Sequence, residues 1–179
     1  MAQLLSEIAP EFAPMMSFHT GRLPAFDAVI ATGSDNSSRY FQHYFGHIPH
    51  LIRKNRTSIG ILDGTESPGE LQKLGADVFS YHGKGCRNVS QLWLPAGYPL
   101  EALGHAWTSY AAETAHHKYR NNYLYHKAMF LAGNIAHTDT GFCLLKEDIQ
   151  VVSPLAVLHI QYYEHPEQLK EFISAHQEV

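Results

Sequence analysis

The stretch Gly83-Lys84-Gly85-Cys86-Arg87-Asn88-Val89-Ser90, running on into Gln91-Leu-Trp-Leu-Pro95, decides the reading of this chain. Its first half is turn-forming and polar. Its second half is an apolar run of strand length. The cysteine therefore falls on a connection that leads into a buried strand. Two glycines without a Cβ let backbone come close to a ligand. A neighbouring arginine favours the thiolate, which is the nucleophilic form. A cysteine on such a turn can offer its sulfur and its backbone N–H to one carbonyl, as acyl transfer through a thioester requires. The alternative is a small buried hydrophobe in a tight turn.

Working outward, strands and helices alternate. Asp27 to Ala31 reads as a buried strand, with turn and capping residues Thr32-Gly-Ser-Asp-Asn36 and a helix over 34–44 behind it. His50 to Arg53 and Ser58 to Leu62 are strand candidates, and Asp63-Gly64 is a turn. Ser67-Pro-Gly-Glu70 combines an N-cap, a first-turn proline and an acid three residues on, which starts a helix to about Tyr81. Gln91 to Leu94 reads as a strand. Helices follow over 100–115 and 122–133, the second with Leu124, Ala128 and Leu131 on one side. Gly141 to Leu145 and Leu155 to Ile160 read as strands, and Pro166 to Ala175 as a final helix. The expected class is α/β, with a mainly parallel sheet and flanking helices.

Composition sets limits. The chain has 179 residues, 45% hydrophobic and 17% charged, enough to bury a core. Its formal charge of −4 gives no footprint for nucleic acid. Charging all thirteen histidines would carry it to +9, so acid should stress the fold. No apolar run reaches membrane length. The N-terminus lacks signal-peptide character, and two cysteines make no disulfide framework, so the cytoplasm is the expected compartment.

Taken together, the Asp27–Phe41 segment with its Thr32-Gly33-Ser34 turn, the Ile52–Gly64 segment, the Cys86 loop and Gln91–Pro95 resemble the fatty-acyl-CoA reductases of bacterial luminescence systems. Those enzymes belong to the aldehyde dehydrogenase superfamily. The resemblance runs from about Phe26 to about Glu164. It implies an aldehyde-dehydrogenase-like catalytic domain over 26–179, behind a lead-in at 1–25, with part of a cofactor-domain edge at 26–64. Family proteins are longer, so the chain resembles a central piece, either a fragment or a truncated gene product.

The resemblance also implies roles. Cys86 takes the position of the nucleophile, and Thr32, Gly33 and Ser34 that of a turn against the dinucleotide. Gln150, in Gln150-Val-Val-Ser-Pro154, resembles the segment whose glutamate holds a cofactor ribose. An amide replaces that acid here. The general-base glutamate of the superfamily falls near Ile52, where there is no acid. Hydrolysis of an acyl-enzyme needs a base to activate water; reduction by hydride does not. The implied reaction is reduction of acyl-CoA to aldehyde, with NADPH as cofactor. NADH is left open. The implied partners are acyl-CoA and either a second copy or a complementing subunit that supplies missing halves.

Alternatives stay open beside it. One is a noncatalytic interaction or assembly domain that keeps the fold. Another is a cysteine acyltransferase or hydrolase. Arg53, Lys54 and Arg56 could face CoA or cofactor phosphates or form a solvated edge strand. The Gly-x-Gly-x-x-Gly fingerprint is absent from 83–88. His43, His47 and His50 have suggestive spacing, but Gly46 and Pro49 interrupt their helix, and no metal is expected. His82, the histidine nearest Cys86, reads as a surface residue or a modulator of the thiol. Cys143 reads as a core residue.

Overall fold

The structure, a computed structural model, describes residues 2–33, 35–53, 57–85 and 87–176. It divides into two compact units, 1–53 and 54–179. The sequence places a boundary at 25/26 and a cofactor-domain edge at 26–64; that edge is shared between the units.

In the first unit, α1 (Ala2–Ile8) is followed by a 3-10 segment at Pro10–Met15, where two prolines deny the backbone a regular helix. Strand β1 (Val29–Thr32) pairs in parallel with β2 (His50–Arg53). The helix α2 (Asp35–Phe45) connects them as a crossover.

The second unit is a five-stranded sheet in the order β3-β4-β7-β6-β5. Its strands are β3 (Ser58–Ile61), β4 (Val89–Pro95), β5 (Thr138–Asp139), β6 (Leu144–Glu147) and β7 (Val157–Tyr163). All neighbours are parallel except β5 against β6. The central strands β4 and β7 are buried along most of their length, which explains their continuous apolar runs. Helices α3 (Pro68–Phe79) and α4 (Leu100–Ala106) cover the face of Leu92, Leu94, Leu158 and Ile160. From α5 (His117–Ala132), Tyr119, Tyr123 and Phe130 pack on Leu144 and Val157, on the other face. Phe172 of α6 (Pro166–Ala175) lies against Trp93, ring centroids 4.6 Å apart.

The start of α3 forms for the reason its sequence suggests. Ser67 accepts the Glu70 N–H, and Glu70 accepts the Ser67 N–H at 2.8 Å. Gly75 then lets α3 approach its neighbour closely. A Cβ there would stand 2.5 Å from Tyr110 Cε2 and 2.7 Å from Trp107 Cδ1. Trp107 is fully buried and its indole N–H donates to the Leu71 carbonyl at 2.8 Å.

Several expectations need correction. The helix expected over 100–115 ends at Ala106, with 3-10 segments at Thr108–Ala111 and Glu113–Ala115. Thr108 and Thr114 hydroxyls donate to carbonyls three and four residues back, which competes with regular helix. The helix expected from 122 starts at His117, because the His116 ring accepts the Lys118 N–H. Its core side is Tyr119, Tyr123 and Phe130; Leu124 and Leu131 are exposed. The helix α3 stops at Phe79, before the expected Tyr81. The strand expected over 141–145 begins at Leu144, because Thr140 and Cys143 bond each other in a turn. The strand expected from Leu155 begins after Ala156, whose φ of 66° breaks it.

Candidate active site

Cys86 lies outside the described residues, as do Ser34, Lys54 and Arg56. The residues on either side of Cys86 are held in an unusual way. After α3, the chain runs through a 3-10 segment in which Tyr81 (φ 54°), His82 (φ 59°) and Gly83 (φ 70°) all have left-handed backbone. Only the glycine adopts that conformation without steric cost.

Asn88 then ties the segment down. Its Oδ1 accepts the Gly85 N–H at 2.7 Å, and its own backbone N–H donates to the Gly85 carbonyl at 3.0 Å. Its Nδ2 donates to the carbonyls of Asp77 (2.8 Å) and Val78 (3.3 Å) at the end of α3. One side chain thus satisfies helix-end carbonyls and anchors Gly85. Gly85 is required here, since a Cβ would stand 2.5 Å from Asn88 Oδ1. Arg87 is exposed.

The segment around Gln150 is fixed from below. Gln91 and His159 are opposite each other on β4 and β7, and both are buried. Gln91 Nε2 donates to the carbonyls of Asp148 (3.1 Å) and Gln150 (3.3 Å), while its Oε1 accepts the Trp93 indole N–H at 3.1 Å. His159 Nδ1 lies 2.6 Å from the Gln150 carbonyl, so it carries the proton there. Ser90 Oγ donates to the Val151 carbonyl at 2.6 Å. Gln150 N–H donates to Asp148 Oδ1, and the residue is exposed. The Gln150 backbone is thereby immobilised while its amide stays at the surface.

Residues 82–84, 89–90 and 153–157 line a cavity of about 170 Å³. His82, Ser90, Ser153 and Ala156 are among its lining, together with the buried Tyr119 and Cys143. Burial pushes the Cys143 thiol up to about 12, so it is protonated at neutral pH. Burial also raises the Tyr119 hydroxyl. Cys143 is the core residue its sequence context suggests. His82 is not a plain surface residue: it is half-buried and its Nδ1 is fully enclosed. A larger cleft of about 680 Å³ lies at the opposite end of β4, lined by Gly64, Glu66, Pro95 and Tyr98 among others. The Glu66 carboxylate there already accepts the N–H groups of Asp63 and Gly64.

In the first unit, Thr32 ends β1 and is exposed. The Gly33 N–H donates to the Arg53 carbonyl at 3.2 Å, so it is not offered to a phosphate. A Cβ on Gly33 would stand 2.7 Å from Ser37 Cβ, which explains the glycine. Ile52 is half-buried on β2 and Arg53 is exposed. Among the described residues no three or more of His, Cys, Asp and Glu form a cation cluster. No described helix is long and apolar enough to cross a membrane.

The sequence reading missed Asn88, Ser90, Gln91 and His159. The signal was present for two of them: Gln91 and His159 are polar residues inside apolar strand runs, and a buried polar residue calls for a partner.

No protein-family model matches the chain, and no curated protein matches it in sequence. Solved structures do. The aldehyde dehydrogenase of Mycobacterium tuberculosis complexed with NAD+ is 15% identical with a TM-score of 0.58, covering 82% of this chain and 38% of that one. The NAD+ complex of the Bacillus cereus aldehyde dehydrogenase is 13% identical, with a TM-score of 0.57 over 82% and 37%. The aldehyde dehydrogenase KauB from Pseudomonas aeruginosa is 14% identical, with a TM-score of 0.57 over 82% and 37%. The fold is therefore aldehyde-dehydrogenase-like, and the chain spans well under half the length of these relatives.

Proposed function

We propose that this chain is the nucleophile-bearing core of a nicotinamide-dependent oxidoreductase that reduces fatty acyl-CoA to aldehyde through a thioester on Cys86. The reading is supported above all by one observation. In an aldehyde-dehydrogenase-like fold, the connection from α3 to β4 that contains Cys86 is anchored by Asn88, and its residues His82, Gly83 and Lys84 line a small cavity.

In this reading the Cys86 thiolate attacks the thioester carbon of acyl-CoA. The carbon–sulfur bond to CoA breaks, and CoA leaves as its thiolate. The Cys86 backbone N–H donates to the oxyanion. By the same resemblance, the cofactor contacts are assigned to Thr32, Gly33, Ser34 and Gln150. A reduced nicotinamide, NADPH by the luminescence-reductase resemblance, would supply the hydride that releases the acyl group as aldehyde. Ile52 in place of an acid favours this over hydrolysis, because no carboxylate is present there to activate water.

The test is to incubate the chain with labelled long-chain acyl-CoA and then add NADPH. Release of label as aldehyde supports the reading. Transfer to an added acceptor without NADPH would mark an acyltransferase, release as free acid a hydrolase, and absence of any label a binding or assembly module.

A further inference from the structure

The chemistry at Cys86 leaves the 680 Å³ cleft at the carboxyl ends of β3 and β4 without a role. The segments that follow Ile61 and Pro95 form its walls. The seven residues of β4 separate it from the Val89 end of that strand, about 20 Å at roughly 3.3 Å per residue. In open parallel sheets, ligands settle outside the carboxyl ends of the strands, where neighbouring strands send their helices to opposite faces. β4 and β7 are such a pair. The chain leaves β4 into α4, whose Leu103 packs with Leu92 and Leu94. It leaves β7 into α6, whose Phe172 lies against Trp93, on the other face of β4. The volume falls within the roughly 300–1,000 Å³ of small-molecule sites.

The lining defines what fits. Leu71, Pro95 and Ala102 give apolar wall, and Glu66 and Tyr98 give polar groups. Glu66 Oε1 and Oε2 accept the Asp63 and Gly64 N–H groups at 2.6 and 3.1 Å, which holds the carboxylate at Gly64, itself part of the lining. An ionised carboxylate has lone pairs for further donors. The Tyr98 hydroxyl makes no hydrogen bond to the described residues. Charge at this end is of one sign. Burial and then Glu66 raise the pKa of the Tyr98 hydroxyl, and Asp63 and Glu66 add to burial in the same direction at Tyr163. Among the described residues no lysine or arginine lines the cleft, and His105 is its one basic ring. A phosphate or carboxylate would meet repulsion, so the cleft suits neither CoA nor a dinucleotide. We propose that it binds an organic amine. The apolar body lies on Leu71, Pro95 and Ala102; the ammonium donates to the Glu66 carboxylate and to the Tyr98 oxygen. The site is separate from the thioester chemistry and does not depend on it.

The probe is 4-phenylbutylamine, titrated into the full chain and read by backbone amide NMR. Its counterpart is 5-phenylpentanoate, the same phenylbutyl group ending in a carboxylate. The amine should give saturable shifts at residues 64–71 and 95–106, equally in the wild type and in Cys86→Ser. It should bind about tenfold or more tightly than the acid, the worth of one charge-assisted hydrogen bond over none. Glu66→Gln removes the charge at nearly constant size, and should bring the two ligands within about threefold of each other. Ala102→Phe fills the cleft and should abolish both titrations. If Glu66→Gln disturbs the turn at Asp63, salt reads the same charge in the wild type. The amine's advantage should shrink several-fold between about 20 mM and about 500 mM sodium chloride. No saturable shifts at these residues, an acid that binds as tightly as the amine, or a preference unmoved by both Glu66→Gln and salt overturns the proposal. So does amine binding that survives Ala102→Phe.

Discussion

Replacing Asn88 by alanine should loosen the Cys86 segment and destabilise the second unit by an amount the geometry allows one to work out. The side chain makes three hydrogen bonds, to the Gly85 N–H at 2.7 Å and to the Asp77 and Val78 carbonyls at 2.8 and 3.3 Å. A neutral hydrogen bond contributes about 1 kcal/mol net, and less where water replaces the lost partner. The longest of the three is weak, and the Asp77 bond is exposed, so the expected loss is about 2 kcal/mol. For a chain of this size that lowers Tm by roughly 4–8 °C. The sharper form of the test uses Gly85. A Cβ there would press on Asn88 Oδ1 at 2.5 Å, and the amide cannot yield without breaking its other bonds. Gly85→Ala should therefore cost a similar amount alone, yet be nearly neutral in the Asn88→Ala background. Urea denaturation of the four proteins gives the coupling energy, expected at about 1–2 kcal/mol. Additive effects, or a loss in Asn88→Ala below about 0.5 kcal/mol, would refute the anchoring role.

Other perturbations follow from the same packing. Gly75→Ala should destabilise by at least about 1–3 kcal/mol, because the added Cβ meets the rings of Trp107 and Tyr110; equilibrium unfolding reads this directly. Gln91→Ala should cost about 2 kcal/mol and speed amide exchange at Gln150, since it orphans the buried Trp93 N–H and removes bonds to the Asp148 and Gln150 carbonyls, the second of which keeps its bond from His159. Asp139 gives a pH dependence. Burial is the largest single influence and raises its pKa, but bonds from Lys127, the Gly141 N–H and Tyr123 together hold it below its ordinary value. Its stabilising contribution is then present above the usual carboxylate pKa of about 4 and lost as pH falls below it. Asp139→Asn should flatten stability in that acid window, and an unchanged pH profile would contradict the assignment.

The strands and the start of α3 were legible because their signals are local. The apolar runs of β4 and β7 mark strands buried on both faces, and Ser67-Pro-Gly-Glu70 carries its own cap. The face of α5 was not legible. Polar and apolar residues are mixed all round this helix, so Leu124 and Leu131 looked as suitable for the core as Tyr119 and Phe130; only the position of Leu144 and Val157 decides between them. The break at Trp107 was hidden for a related reason: its indole seeks the Leu71 carbonyl, 36 residues away. At the site, the sequence points to the Cys86 loop and to Gln150 as separate motifs. What joins them is a set of long-range side-chain bonds from Ser90, Gln91 and His159 to the 148–151 segment, which no local pattern records. The left-handed backbone at Tyr81 and His82 was equally unmarked, since neither residue favours it.

The central claim is that Cys86 is an acyl-accepting nucleophile while Cys143 is an inert core thiol. Peptide mapping after incubation with a long-chain acyl-CoA tests it most directly. The account predicts a single acyl group on the peptide containing Cys86, released by neutral hydroxylamine and absent from Cys86→Ser, with none on Cys143. Acylation that survives Cys86→Ser, or none at all on a folded wild-type chain, would contradict it.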